Sequence, residues 1–181
     1  MKAKFAEFVD YFEQLAREHT DIRHTDTEKH FFRIELEEIL TGLKSKIRYP
    51  ALILESYDFM FKDQNSDNVH KEVSCAFDII DIVKDAGDYD KIHATWHRME
   101  EIGDEICMRI LTDKRSRKID VLSYFHLTNV KGNLLVDMNL MHYGVRYEFV
   151  VSWPVVNDID PDKWNQSPTN NTTSGSTSGS V

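Results

Sequence analysis

Four side chains in the middle of the chain have types and spacing that could do chemistry. His93, His97, Glu100 and Asp104 follow one another at offsets of four, three and four, so on a helix they share one face. Two imidazoles one turn apart have metal-ligand spacing, and a small metal-dependent enzyme using His93 and His97 is one reading of them. No Glu directly follows His93, so the stretch is not the His-Glu-x-x-His motif of zinc proteases. A solvated face laced with charge pairs is the plainer account.

The other candidates for chemistry are thinner. His19, His24, His30, His70, His126 and His142 are scattered and suggest no triad. No serine sits in a Gly-x-Ser-x-Gly elbow, and the seven glycines form neither a phosphate loop nor a dinucleotide fingerprint, which argues against phosphoryl transfer and nucleotide binding. Asp78 and Asp81 flank apolar residues; they could pair as carboxylates, but an outward-facing strand edge is the expectation. Cys75 and Cys107 lack zinc or redox spacing and read as reduced core residues. The expectation is therefore no catalytic residue, no cofactor and no metal ligand.

The elements that must position these residues follow from periodicity. Phe5, Phe8, Val9, Phe12, Leu15 and Ala16 predict an amphipathic helix over residues 3–19. Thr25 to Glu28 has capping-box spacing and predicts a second helix over 28–44, although Phe31 to Leu36 could also alternate as a strand. Apolar runs predict strands at 51–61 and 69–83, joined as a hairpin by the polar stretch Lys62 to Asn68. Asp88 is placed as the N-cap of a long helix reaching about residue 113, carried by Ile92, Trp96, Met99, Ile102, Ile106 and Ile110. Gly103 inside it suggests a close approach to another element. Strands are predicted at 119–130 and 134–152, with a turn at Lys131 to Asn133; Tyr143, Val145, Tyr147, Phe149 and Val151 alternate as a half-buried antiparallel strand does.

The 181 residues suit one domain over 1–164, with a flexible Ser/Thr/Gly/Asn-rich tail over 165–181 that holds no charge. Hydrophobic residues make up 41%, enough for a core, and the net charge of −9 argues against a protein whose main task is gripping phosphates. Lys114, Arg115, Arg117 and Lys118 form the one cationic concentration, suited to a partner contact or to a solvated helix end. Tyr49, Tyr57, Phe59 and Phe61 read as core or interface rather than a base-stacking platform. Glu7 and Asp10 interrupt what would be the apolar stretch of a signal peptide, and no window is long and apolar enough to cross a membrane. The fold class expected is α+β, a mainly antiparallel sheet packed with amphipathic helices.

The run from Tyr49 to Leu54 entering the first strand, the helix opening at Gly87, Asp88, Tyr89 and Asp90, and the strand from Tyr143 to Phe149 lie in an order that resembles the tail-terminator and tail-completion proteins of long-tailed bacteriophages and related injection machines. The resemblance spans most of residues 1–155. It implies a non-enzymatic subunit of the virion, assembled in the host cytoplasm. Such a subunit forms a homomeric ring, commonly six-fold, that caps the tail tube and joins it to the neck or head. The implied partners are copies of the chain, tail tube protein and neck or connector proteins, with DNA at most passing through a channel and no membrane. Besides the His93/His97 enzyme, an acidic protein-binding module whose Asp and Glu imitate phosphates stays open.

Overall fold

The computed structural model describes residues 4–33, 47–63, 69–116, 122, 125–137, 141–155 and 161–164. Among them are two α-helices and a six-stranded mixed sheet. In chain order they are α1 (Lys4–Glu18), β1 (Lys29–Arg33), β2 (Ile47–Leu54), β3 (Asp58–Lys62), β4 (His70–Ile82), α2 (Tyr89–Arg115), β5 (Lys131–Asp137) and β6 (His142–Pro154). The sheet runs β1-β2-β4-β6-β5, and β3 pairs with β4 beyond the end of β2. All pairings are antiparallel except β1 with β2, which is parallel.

Alternation along β4 and β6 decides where the core lies. Val73, Cys75, Phe77 and Ile79 on β4, with Val145, Tyr147, Phe149, Val151 and Trp153 on β6, bury one face under both helices. From α1, Phe12 lies 5.7 Å from Phe77 and stacks on Phe149 at 6.0 Å. From α2, Met99, Ile102, Ile106 and Ile110 complete the layer. Gly103 marks the close approach expected of it: a Cβ there would stand 2.1 Å from a ring carbon of Tyr147. The N-terminal cap of α2 is Asp88, whose side chain accepts the Lys91 N–H at 3.0 Å.

Several boundaries differ from the expectation, each for a physical reason. The predicted 28–44 helix is contradicted at residues 29–33, which form β1; residues 34–46 lie outside the described set. The Thr25 hydroxyl does accept the Glu28 N–H at 2.9 Å, as the capping spacing implies. The chain then extends because Phe31 joins the main core while Phe32 packs with Ile47, Ala51, Ile53 and Ile80 on the opposite face. The 51–61 strand is two strands, interrupted at residues 55–57. The 119–130 strand is overturned where it is described, since Leu127–Asn129 is a 3-10 turn. Lys131, Gly132 and Asn133 are not a turn but the start of β5, paired with Glu148, Tyr147 and Arg146; the reversal comes later, ending at Met141 with φ of 58°. The 134–152 strand is accordingly split between β5 and β6. The 165–181 segment lies outside the described residues.

Candidate functional site

The sheet face turned away from the helices carries a cluster of charge. β4 is a central strand, not an edge, so Asp78 is fully buried at 0% exposure, and the edge placement expected for Asp78 and Asp81 does not hold. Three positions apart on a strand, the two carboxylates fall on opposite faces and do not pair. Asp81 sits 3.7 Å from Arg98 of α2, whereas Asp78 stands directly across from Arg146 on β6.

Arg146 is the hub. Its Nη1 and Nη2 donate to the two carboxylate oxygens of Glu55, the second at 2.6 Å, and its Nε donates to Glu148 at 3.1 Å. Glu55 is delivered by the interruption after β2, where its own N–H still reaches the Ala76 carbonyl at 3.1 Å. Asp78 Oδ1 is 4.0 Å from Arg146 Nη1, and neither Asp78 oxygen has a hydrogen-bond partner among the described residues. Burial, reinforced by the negative charge of Glu55 and only partly offset by Arg146, pushes the Asp78 carboxyl up to about 8. At neutral pH Asp78 is therefore a neutral acid.

A cavity of about 420 Å³ opens next to this cluster, lined by Glu55, Ser74, Asn129, Lys131, Arg146 and Glu148 among others. A neutral carboxyl with this affinity can store or release a proton near physiological pH. The Arg146 fork is occupied by Glu55 and Glu148, so clamping an external anion would first require breaking those bonds. The cluster is built as a brace between β2, β4 and β6.

The four residues singled out on α2 are not brought to one point. The His93 ring stacks on Trp96 at 5.8 Å, His97 Nε2 lies 3.4 Å from Glu101, and Asp104 turns to the sheet, accepting the Tyr147 hydroxyl at 2.9 Å. That hydroxyl also reaches the Glu100 carbonyl at 3.0 Å. Among the described residues, no three His, Cys, Asp or Glu side chains form a group that could hold a metal ion. No family model and no curated protein matches this chain.

Other titratable groups act as fasteners. His24 Nδ1 accepts the N–H groups of His30 and Phe31 at 3.0 and 3.1 Å, and burial, with the Arg17 charge nearby, lowers its affinity for a second proton. Tyr49 donates to or accepts from His142 Nε2 at 2.5 Å, and burial pushes its hydroxyl up to about 12. Cys75 and Cys107 are buried free thiols, likewise pushed up to about 12 by burial. Lys114 is anchored to the Phe125 carbonyl, while Arg117 and Lys118 lie outside the described residues.

A second concavity of about 630 Å³ lies between α2 and β5, lined by Cys107, Met108, Leu127, Val130 and Leu134 with Glu100 and Asp104 at its rim. Met108 is 48% exposed there and Leu134 59%. No motif in the sequence marks Glu55, Arg146 or this groove. One signal was available: an Asp within the apolar run Phe77 to Ile82 demands a neutralising arrangement.

Proposed function

We propose that the chain is a structural subunit rather than an enzyme, assembling with copies of itself into a ring that closes a phage or phage-derived tail tube and joins it to the neck or head. The observation that supports assembly is the groove between α2 and β5. Met108 and Leu134 stand exposed in a concavity of about 630 Å³, and covering such apolar surface with a neighbour removes it from water. A ring forms when one surface docks on a different surface of the next copy and the rotation closes. Subunits of net charge −9 would line a channel that lets DNA pass without holding it. No described helix is long and apolar enough to cross a membrane, and the place proposed for the subunit is the virion tail or neck.

One observation favours the acidic binding module instead: Glu100, Glu101, Asp104 and Glu105 are all exposed on α2. Size-exclusion chromatography with light scattering, followed by electron microscopy, separates the two readings. The ring reading expects closed multimers, of six subunits in the commonest case, that dock on tail tubes. A persistent monomer that binds a basic partner and ignores tail tube protein would overturn it.

A further inference from the structure

β3 is exposed along its whole length, with Phe59 at 53%, Met60 at 53% and Phe61 at 61%. Among the described residues it pairs on one side only, with β4. A strand in that position offers a row of backbone donors and acceptors to another chain, and this one has no proline to blunt it. Its side chains are braced on the sheet. The Lys71 ammonium lies 3.6 Å from the centre of the Phe59 ring, and Phe59 and Phe61 meet edge to face at 5.9 Å.

The order of residues in β3 says what fits it. Asp58, Phe59, Met60, Phe61 and Lys62 read with opposite charges at the two ends and a symmetric apolar centre. Laid antiparallel on a second copy and centred on Met60, the strand places each Asp58 opposite the other copy's Lys62 and each Phe59 opposite the other copy's Phe61. On one face four phenyl rings then meet, and on the other face two methionines meet between two ion pairs. A parallel alignment in the same register would set Asp58 against Asp58 and Lys62 against Lys62, which is repulsive. Lys62 also lies 3.6 Å from Glu72 of its own β4, so in the dimer its ammonium would stand between two carboxylates, Glu72 and the other copy's Asp58.

We propose that β3 is a self-recognition edge: two copies of this chain join across a two-fold axis by antiparallel pairing of Asp58–Lys62. The contact is isologous, so it is distinct from the head-to-tail contacts of a ring and does not depend on them. Within a larger assembly it would join subunits of two different rings. Two five-residue strands bury far less than the ~1,200 Å² of stable complexes, so free subunits pair weakly and the pairing strengthens when other contacts hold many copies together.

Sedimentation velocity on the full chain from low micromolar to about 1 mM tests the pairing. A concentration-dependent dimer is expected. Asp58→Lys and Lys62→Asp each set like charges opposite one another and should weaken dimerisation at least tenfold, with circular dichroism unchanged because both sites are exposed. Mixing the two single variants, or combining them in one chain, should restore it. Met60→Cys should cross-link into a disulfide dimer on mild oxidation, since the central residues face one another, and Leu134→Cys on β5 should not. A monomer over the whole range, dimerisation indifferent to both charge variants, or cross-linking through Leu134→Cys alone would overturn the proposal. A ring that persists unchanged in Asp58→Lys, with no two-fold species in the parent protein, would overturn it while leaving the ring reading intact.

Discussion

Asp78 holds a proton that the unfolded chain gives up. Unfolded, an aspartate titrates near 3.8; folded, burial and Glu55 raise this one to about 8. Between those values folding takes up a proton, so the Asp78 contribution to stability falls as pH rises from about 4 to about 8 and is constant beyond. Asp78→Asn keeps the size and shape of the side chain and removes the titration. Urea unfolding at pH 5, 6.5 and 8 should show the parent losing stability relative to this variant by up to about 1.4 kcal/mol per pH unit. Parallel pH profiles for the two proteins would mean that Asp78 is ionised. Arg146→Met should cost about 2 kcal/mol in the same assay at pH 7, less than the ~3–5 of a fully buried pair because the Arg146 side chain is 34% exposed. The edge expected for Asp78 does not hold because, in sequence, an Asp among apolar residues looks the same whether its strand is central or lateral. The partners that decide the matter, Glu55 and Arg146, are 91 residues apart in the chain.

At the scale of elements, the legible parts were those whose periodicity is local. The 3–19 helix is found at Lys4–Glu18, and the long helix begins at its cap, Asp88, because their apolar stripes need no knowledge of the partner surface. β1 was less legible, since its extension is dictated by Phe31 and Phe32 packing on two different faces, which only the assembled sheet defines. The reversal between β5 and β6 was misplaced because Gly132 looked like turn chemistry while a non-glycine residue, Met141, takes the left-handed conformation. Gly103 is legible because a glycine inside a helix signals a close approach, and a double-mutant cycle tests that approach. Alanine gains about 1 kcal/mol of helix propensity over glycine, yet the Tyr147 ring occupies the space of its Cβ. Gly103→Ala should therefore destabilise the parent by about 1–3 kcal/mol in chemical denaturation. In a Tyr147→Leu background the penalty should shrink or change sign, and additive effects would show that the ring does not limit the approach.

For the whole molecule, the α+β class follows from the order of the elements, and among the described residues the sheet is mixed through the parallel β1–β2 pair. What composition could not convey is where apolar surface remains outside. If the groove between α2 and β5 receives a neighbouring copy, Leu134→Lys should shift the assembly to monomers in light scattering with its secondary structure intact, and Met108→Lys should do the same. Rings that form equally well in both variants would assign the closing contact to another surface. Both substitutions lie on exposed positions, so loss of the fold is not the expected outcome.

The pairing of β4 with β6 carries a temporal consequence. All 13 positions of each strand are matched, from His70 with Pro154 to Ile82 with His142, so the partners are 60 to 84 residues apart in the chain. Closing such loops is slow compared with helix formation or a tight hairpin. β3 and β2 are the near neighbours of β4 in sequence, but its other edge, next to Asp78, has no pairing strand until residues 142–154 arrive. Between the completion of β4 at residue 82 and that of β6 at residue 154 the growing chain therefore carries an open sheet edge of the kind that invites aggregation, and β6 is the clasp that closes it.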